Sequence, residues 1–117
     1  YREGTIGCFM VPPMLEAFSR SKDSTYLSSA TRAYDHYVSE LKTKGYSTAG
    51  ALDTWCIDKE SSISLLRSAL KLYNLTSNKE YLDDAVAVSY NHKRRELHNA
   101  SALNGFGNTV YGNYALF

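Results

Sequence analysis

The sequence predicts an all-α fold of antiparallel helical hairpins, and three observations carry that prediction. Apolar residues recur at spacings of three and four along several stretches, proline and glycine stand where such stretches begin and end, and one pattern returns in the second half of the chain. With 117 residues the chain has room for one domain and one modest core.

Pro12 and Pro13 precede MLEAF, and proline suits a helix's opening turn because the N–H it lacks has no partner there. This first helix is expected to end near Ser21. Asp23 or Ser24 then caps a second helix through TYLSSATRAYDHYVSELKTK, in which Tyr26, Leu27, Ala30, Ala33, Tyr34, Tyr37 and Leu41 form one dry stripe. Gly45, after Lys42 and Lys44, is a C-terminal stop with cations near the negative end of the dipole. The stretch GYSTAGALDTWCIDKE has no helical period and reads as a loop. A third helix follows from about Lys59 to Leu75, with Ile63, Leu66, Ala69, Leu70 and Tyr73 as its stripe and Leu65 and Leu72 widening it. Ser77 or Asn78 caps a fourth, from about Lys79 to Asn91. Residues 91–117 are rich in Asn and Gly and read as an irregular tail on the single domain or fragment that spans 1–117.

Sliding the chain along itself until Tyr81-Leu82 falls on Tyr26-Leu27 also lays Ala85 on Ala30, Leu70 on Leu15, Tyr73 on Phe18 and Val88 on Ala33. Each copy reads helix, short polar turn, capping residue, then aromatic-Leu-x-x-Ala. A lone hairpin cannot bury its apolar side, so stacked copies share a core.

Charge and hydropathy exclude several classes. Thirteen basic against twelve acidic residues leave a net charge of +1, no field for holding a polyanion, so nucleic acid is not an expected partner. No apolar run approaches the roughly 20 residues that span a bilayer, so no membrane partner is expected and the chain reads as soluble. Its first residue is Tyr1, and a processed chain or a piece of a longer one is the expectation. Cys8 and Cys56 lack the spacing of a zinc site; burial as small hydrophobes is the plain reading and a disulfide between them stays open. No GxGxxG, GxSxG or P-loop pattern occurs, and neither a metal nor another cofactor is expected.

The runs STYLSSATRAYDHYVSE and GALDTWCIDKESSISLLRSALKLYNLTSNKEYLDDAVAVSY, within roughly Val11 to Tyr90, resemble bacterial proteins of the six-hairpin glycosidase type. The resemblance implies an (α/α) toroid of inner and outer helices and a carbohydrate-active enzyme cleaving glycosidic bonds with acid/base carboxylates. At about 50 to 60 residues per hairpin this chain holds about two, by the rise and turn of a helix, so the resemblance implies a fragment or subdomain. An extracellular or periplasmic location is the expectation that accompanies it. A non-catalytic helical-repeat module binding sugar or protein, and a toroid polysaccharide lyase using Tyr, His or Arg, are the alternatives.

In such toroids the loops entering inner helices line the substrate funnel, which implies that place for LDTWCIDKES. Asp53, Trp55, Asp58 and Glu60 fall within eight residues of one another there. Glycoside hydrolysis needs two carboxyl groups flanking the scissile bond, one protonated and one ionised, so Asp53, Asp58 and Glu60 are the candidate catalytic residues and Trp55 a stacking platform for a sugar ring. The same acids at a helix start are also ordinary caps and dipole partners, and a single Trp is often core. Tyr111 and Tyr114, in GFGNTVYGNYALF, are further candidate sugar contacts; Tyr26, Tyr34, Tyr37, Tyr73 and Tyr81, at helical spacing, suit interhelical packing with the hydroxyl at an edge. His36, His92 and His98 form no ligand set, and His92 with Lys93, Arg94 and Arg95 reads as a solvated helix end. Asn74-Leu75-Thr76 and Asn99-Ala100-Ser101 match the glycosylation acceptor pattern, which matters in a eukaryotic secretory route.

Overall fold

A computed structural model describes residues 5–45, 47–49, 56–58 and 60–90. A 3-10 helix, Ile6–Met10, leads directly into α1 (Val11–Ser21), whose first turn carries the two prolines. Helix α2 (Ser24–Lys44) follows, then strands β1 (Ser47–Ala49) and β2 (Cys56–Asp58), α3 (Glu60–Thr76), and α4 through residues 79–90. The fold is all-α apart from the three-residue strands. Those strands correct the expectation of a structureless loop after Gly45. They pair antiparallel in the register Ser47↔Asp58, Thr48↔Ile57, Ala49↔Cys56, so the connector folds back on itself between α2 and α3.

The two turns show why the chain makes hairpins. Helix α1 ends on Lys22 in the left-handed region at φ 59°, and α3 ends on Ser77, also at φ 59°. The alignment that lays Tyr81 on Tyr26 lays Ser77 on Lys22, and the hydrogen bonds around the two positions correspond one to one. Lys22 N–H donates to the Phe18 carbonyl at 2.8 Å, and Ser77 N–H to the Tyr73 carbonyl at 2.7 Å. The Ser21 and Thr76 hydroxyls each donate to the carbonyl four residues back, and each accepts from the N–H of the capping residue. Asp23 Oδ1 accepts from Thr25 N–H at 2.9 Å, and Asn78 Oδ1 from Glu80 N–H at 3.0 Å. Of the two capping alternatives at each turn, the side chains of Asp23 and Asn78 take the role. A non-glycine left-handed residue costs roughly 1–2 kcal/mol, which the satisfied carbonyl and the cap, about 1 kcal/mol each, offset.

The core joins both hairpins and the 3-10 helix: Cys8, Val11 and Leu15 meet Ala30, Tyr34, Tyr37, Val38 and Leu41 of α2, Leu65, Ala69 and Leu72 of α3, and Ala85 and Val88 of α4. Gly7 lies so close to Tyr37 that a Cβ there would overlap its hydroxyl. Two expected stripes are corrected. Tyr26 is exposed, and on α3 the dry face is centred on Leu65, Ala69 and Leu72, with Ser61, Ser62, Ser64 and Ser68 buried beside them, while Ile63 and Leu70 face out. Serine counts as polar in a periodicity reading, yet it is small and can return its hydroxyl to its own helix, as Ser68 does to the Ser64 carbonyl at 2.8 Å. That lets α3 approach the first hairpin closely.

Candidate functional site

The connector's position follows from its pairing. Asp58 ends β2 opposite Ser47, and β1 runs alongside α3 and the end of α2. Glu60 is the first residue of α3 and is exposed, in the turn where the helix dipole favours a carboxylate. The fold therefore brings Asp58 and Glu60 to the start of α3, joined through one residue. Asp53 and Trp55 belong to the stretch 50–55 that links the strands, and they lie outside the described residues, as do Tyr111 and Tyr114. The side chain of Asp58 is also outside them. His92, His98 and the basic run between them fall in 91–117, likewise undescribed.

A second polar constellation sits between the hairpins, and the sequence reading missed it. Tyr34 Oη on α2 donates to Asp84 Oδ2 on α4 at 3.0 Å, and Lys42 Nζ donates to Asp84 Oδ1. Tyr34 is fully buried, Asp84 nearly so. Tyr81 lies edge-on to Tyr34 with ring centroids 5.6 Å apart. Burial first, and then the Asp84 charge, push the Tyr34 phenol upward, so it is protonated and able to donate at physiological pH. Both Asp84 oxygens are engaged and the phenol is committed. Chemically the trio is a clamp across the two hairpins. The signal was present in the sequence: Asp84 stands three residues after Tyr81 and one before Ala85, on the dry side of α4, where an acid needs a partner.

A third polar contact ties the 3-10 helix to α3. The Cys8 thiol donates to the Ser61 carbonyl at 3.4 Å, and the Ser64 hydroxyl donates to the Cys8 carbonyl at 3.0 Å. Burial pushes the Cys8 thiol up to about 11, leaving it neutral and poorly nucleophilic at physiological pH. The plain reading of Cys8 as a buried small residue holds; the Cys56 side chain is outside the described residues. His36 packs edge-on against Tyr37 at 4.9 Å. Among the described residues no three His, Cys, Asp or Glu side chains converge as metal ligands, and no helix is long and apolar enough to cross a membrane.

The fold and its turns define a class: an all-α unit of two stacked helical hairpins with a short paired-strand connector between them. Comparison with protein-family models, with curated proteins and with solved structures finds no match to the chain.

Proposed function

We propose that this chain is the hairpin-pair portion of an (α/α) toroid of the six-hairpin glycosidase kind, acting on carbohydrate through its β1–β2 connector. The observation that carries the reading is the acidic and aromatic composition of that connector at the entrance to α3: Asp53, Trp55, Asp58 and Glu60 within one short excursion between stacked hairpins. In this mechanism one of Asp53 and Asp58 protonates the leaving oxygen and the other, ionised, activates water or attacks the anomeric carbon. Trp55 stacks against the apolar face of a sugar ring, Tyr111 and Tyr114 add contacts from 91–117, and Glu60, a third carboxylate at the helix start, disfavours a second negative charge on the pair and so keeps its acid member protonated.

A second reading, a non-catalytic repeat module that binds sugar or protein, is favoured by the exposed first-turn position of Glu60, where a carboxylate serves the helix dipole without any substrate. One set of variants separates the two. Oligosaccharides are screened for binding and for release of reducing ends with the wild-type chain, Asp53→Asn, Asp58→Asn and Trp55→Ala. The hydrolase reading expects hydrolysis to fall at least about 100-fold in one Asn variant with binding retained, as for loss of a general acid or base. Loss of binding in Trp55→Ala with no hydrolysis by any form supports the binding module. Unchanged binding and turnover in all three would exclude the connector from function.

A further inference from the structure

A cleft of about 270 Å³ opens between the first turn of α1 and the first half of α3, lined by Phe9, Pro12, Pro13, Ile63, Ser64 and Arg67. Its walls are fixed. The Cys8 thiol donates to the Ser61 carbonyl and the Ser64 hydroxyl to the Cys8 carbonyl, pinning the 3-10 helix that carries Phe9 to the helix that carries Ile63. The rings of Pro12 and Pro13 lock the backbone between them. Phe9 is 42% and Ile63 40% exposed, so two large apolar groups of the lining meet solvent. Arg67 follows Ile63 by four residues and Ser64 by three, which sets its exposed side chain on the same face of α3. Glu16, the one acid of α1, takes Arg20 at 3.1 Å and Lys71 at 3.6 Å. Glu60, the one acid of α3, stands two turns back along the helix. Among the described residues no acid pairs with Arg67, so the cleft carries a single uncompensated cation beside an apolar wall.

We infer that this cleft binds a small free carboxylic acid, its apolar body between Phe9 and Ile63 and its carboxylate on the Arg67 guanidinium. Charge complementarity selects the head group. One guanidinium matches one carboxylate, to which it can donate two parallel N–H bonds, whereas a doubly charged phosphate would keep a charge unmatched. The volume selects the body. Pockets for drug-sized ligands run from about 300 to 1,000 Å³, so a cleft just below that range takes one ring or a short alkyl chain. The backbone selects a free acid over a peptide. Pro12 and Pro13 offer no N–H, and the Cys8 carbonyl is already engaged by Ser64, so these walls give an extended main chain little to pair with. None of the connector residues takes part, and the inference stands or falls apart from the carbohydrate reading.

Amide-resolved NMR of the isotope-labelled full chain, titrated with phenylpropionate, tests it. Saturable shifts are expected at Phe9, Ile63, Ser64 and Arg67, with a dissociation constant in the millimolar range or below, as for a ligand of this size. Phenylpropanol, which keeps the ring and loses the charge, is expected to bind at least about tenfold more weakly, and Arg67→Gln to weaken phenylpropionate by a similar factor. Lys71→Gln removes the next cation along α3, outside the cleft, and is expected to change nothing. Phe9→Ala is expected to weaken both ligands alike; if it does not fold by circular dichroism, Ile63→Glu closes the same cleft to an anion from an exposed position. Absence of saturable shifts at the lining residues overturns the inference. So does equal binding of phenylpropanol, or an equal loss in Lys71→Gln and Arg67→Gln, which marks diffuse charge attraction. An acetylated peptide ending in a phenylalanine carboxylate that binds at least about tenfold tighter than the free acid also overturns it and assigns the cleft to a protein tail.

Discussion

The two hairpins share a turn and differ in their surroundings. At Lys22-Asp23 and Ser77-Asn78 the backbone, the caps and the back-bonded hydroxyls are the same, because they depend on side chains within a few residues of one another. Exposure diverges, because it depends on what stacks against each face. Leu15 is sealed by α3, while Leu70, its counterpart, meets solvent. Local chemistry therefore sets the hairpin, and position in the stack sets what each residue is worth.

The largest expected effect breaks the comparison at that pair. Leu15→Ala is expected to cost about 2–5 kcal/mol in urea unfolding, as for a buried leucine, and Leu70→Ala under about 1 kcal/mol. Asp84 and Ser29 also share a repeat position. Asp84→Ala strips the buried Tyr34 hydroxyl of its acceptor and is expected to cost about 1–3 kcal/mol, against a few tenths for Ser29→Ala.

Caps sharpen the comparison from the other side, since they are the part the hairpins have in common. Asp23→Ala and Asn78→Ala are each expected to lose about 1 kcal/mol, equal within about 0.5 kcal/mol, by the same unfolding assay.

The smallest effects are in pH. The Thr25 backbone N–H beside Asp23 holds its carboxyl below the usual range, so its stabilisation is present above the ordinary carboxylate pKa and is lost as pH falls through the folded value. Asp35 has the opposite sign: loss of hydration, and then the charges of Asp84 and Glu80, raise it, so the folded protein binds this proton more tightly and stability falls as pH rises through the raised value. Asp35→Asn is expected to raise the Tm slightly at pH 7, a gain that shrinks as pH drops through that value. The Asp23→Ala deficit is expected to shrink on acidification too, at lower pH.

Much of this was legible in the sequence. The four long helices, Gly45 as a stop and the internal repeat follow from spacing and caps, because those signals are local. The 3-10 helix at Ile6–Met10 was not, since five residues with no side-chain cap carry no period. Nor was the β1–β2 pairing, whose three-residue strands are too short to show alternation. Periodicity misplaces the α3 face because Ser61, Ser64 and Ser68 pack by size while counting as polar, and Ile63 and Leu70 are apolar at positions where the stack leaves them uncovered. Of the candidate site, the sequence supplied residue types and their closeness. The position of Asp84 on the dry side of α4 hinted at a buried acid, but not at its partners, because the Tyr34–Asp84–Lys42 clamp joins residues up to 50 apart in the chain.

The docking of the second hairpin into the groove of the first is tested most directly by a double-mutant cycle between Tyr34→Phe and Asp84→Ala, measured by equilibrium urea unfolding. A coupling of about 1 kcal/mol or more is predicted, because the two side chains share one buried bond across the hairpins. Losses that add to within about 0.3–0.5 kcal/mol would contradict that arrangement.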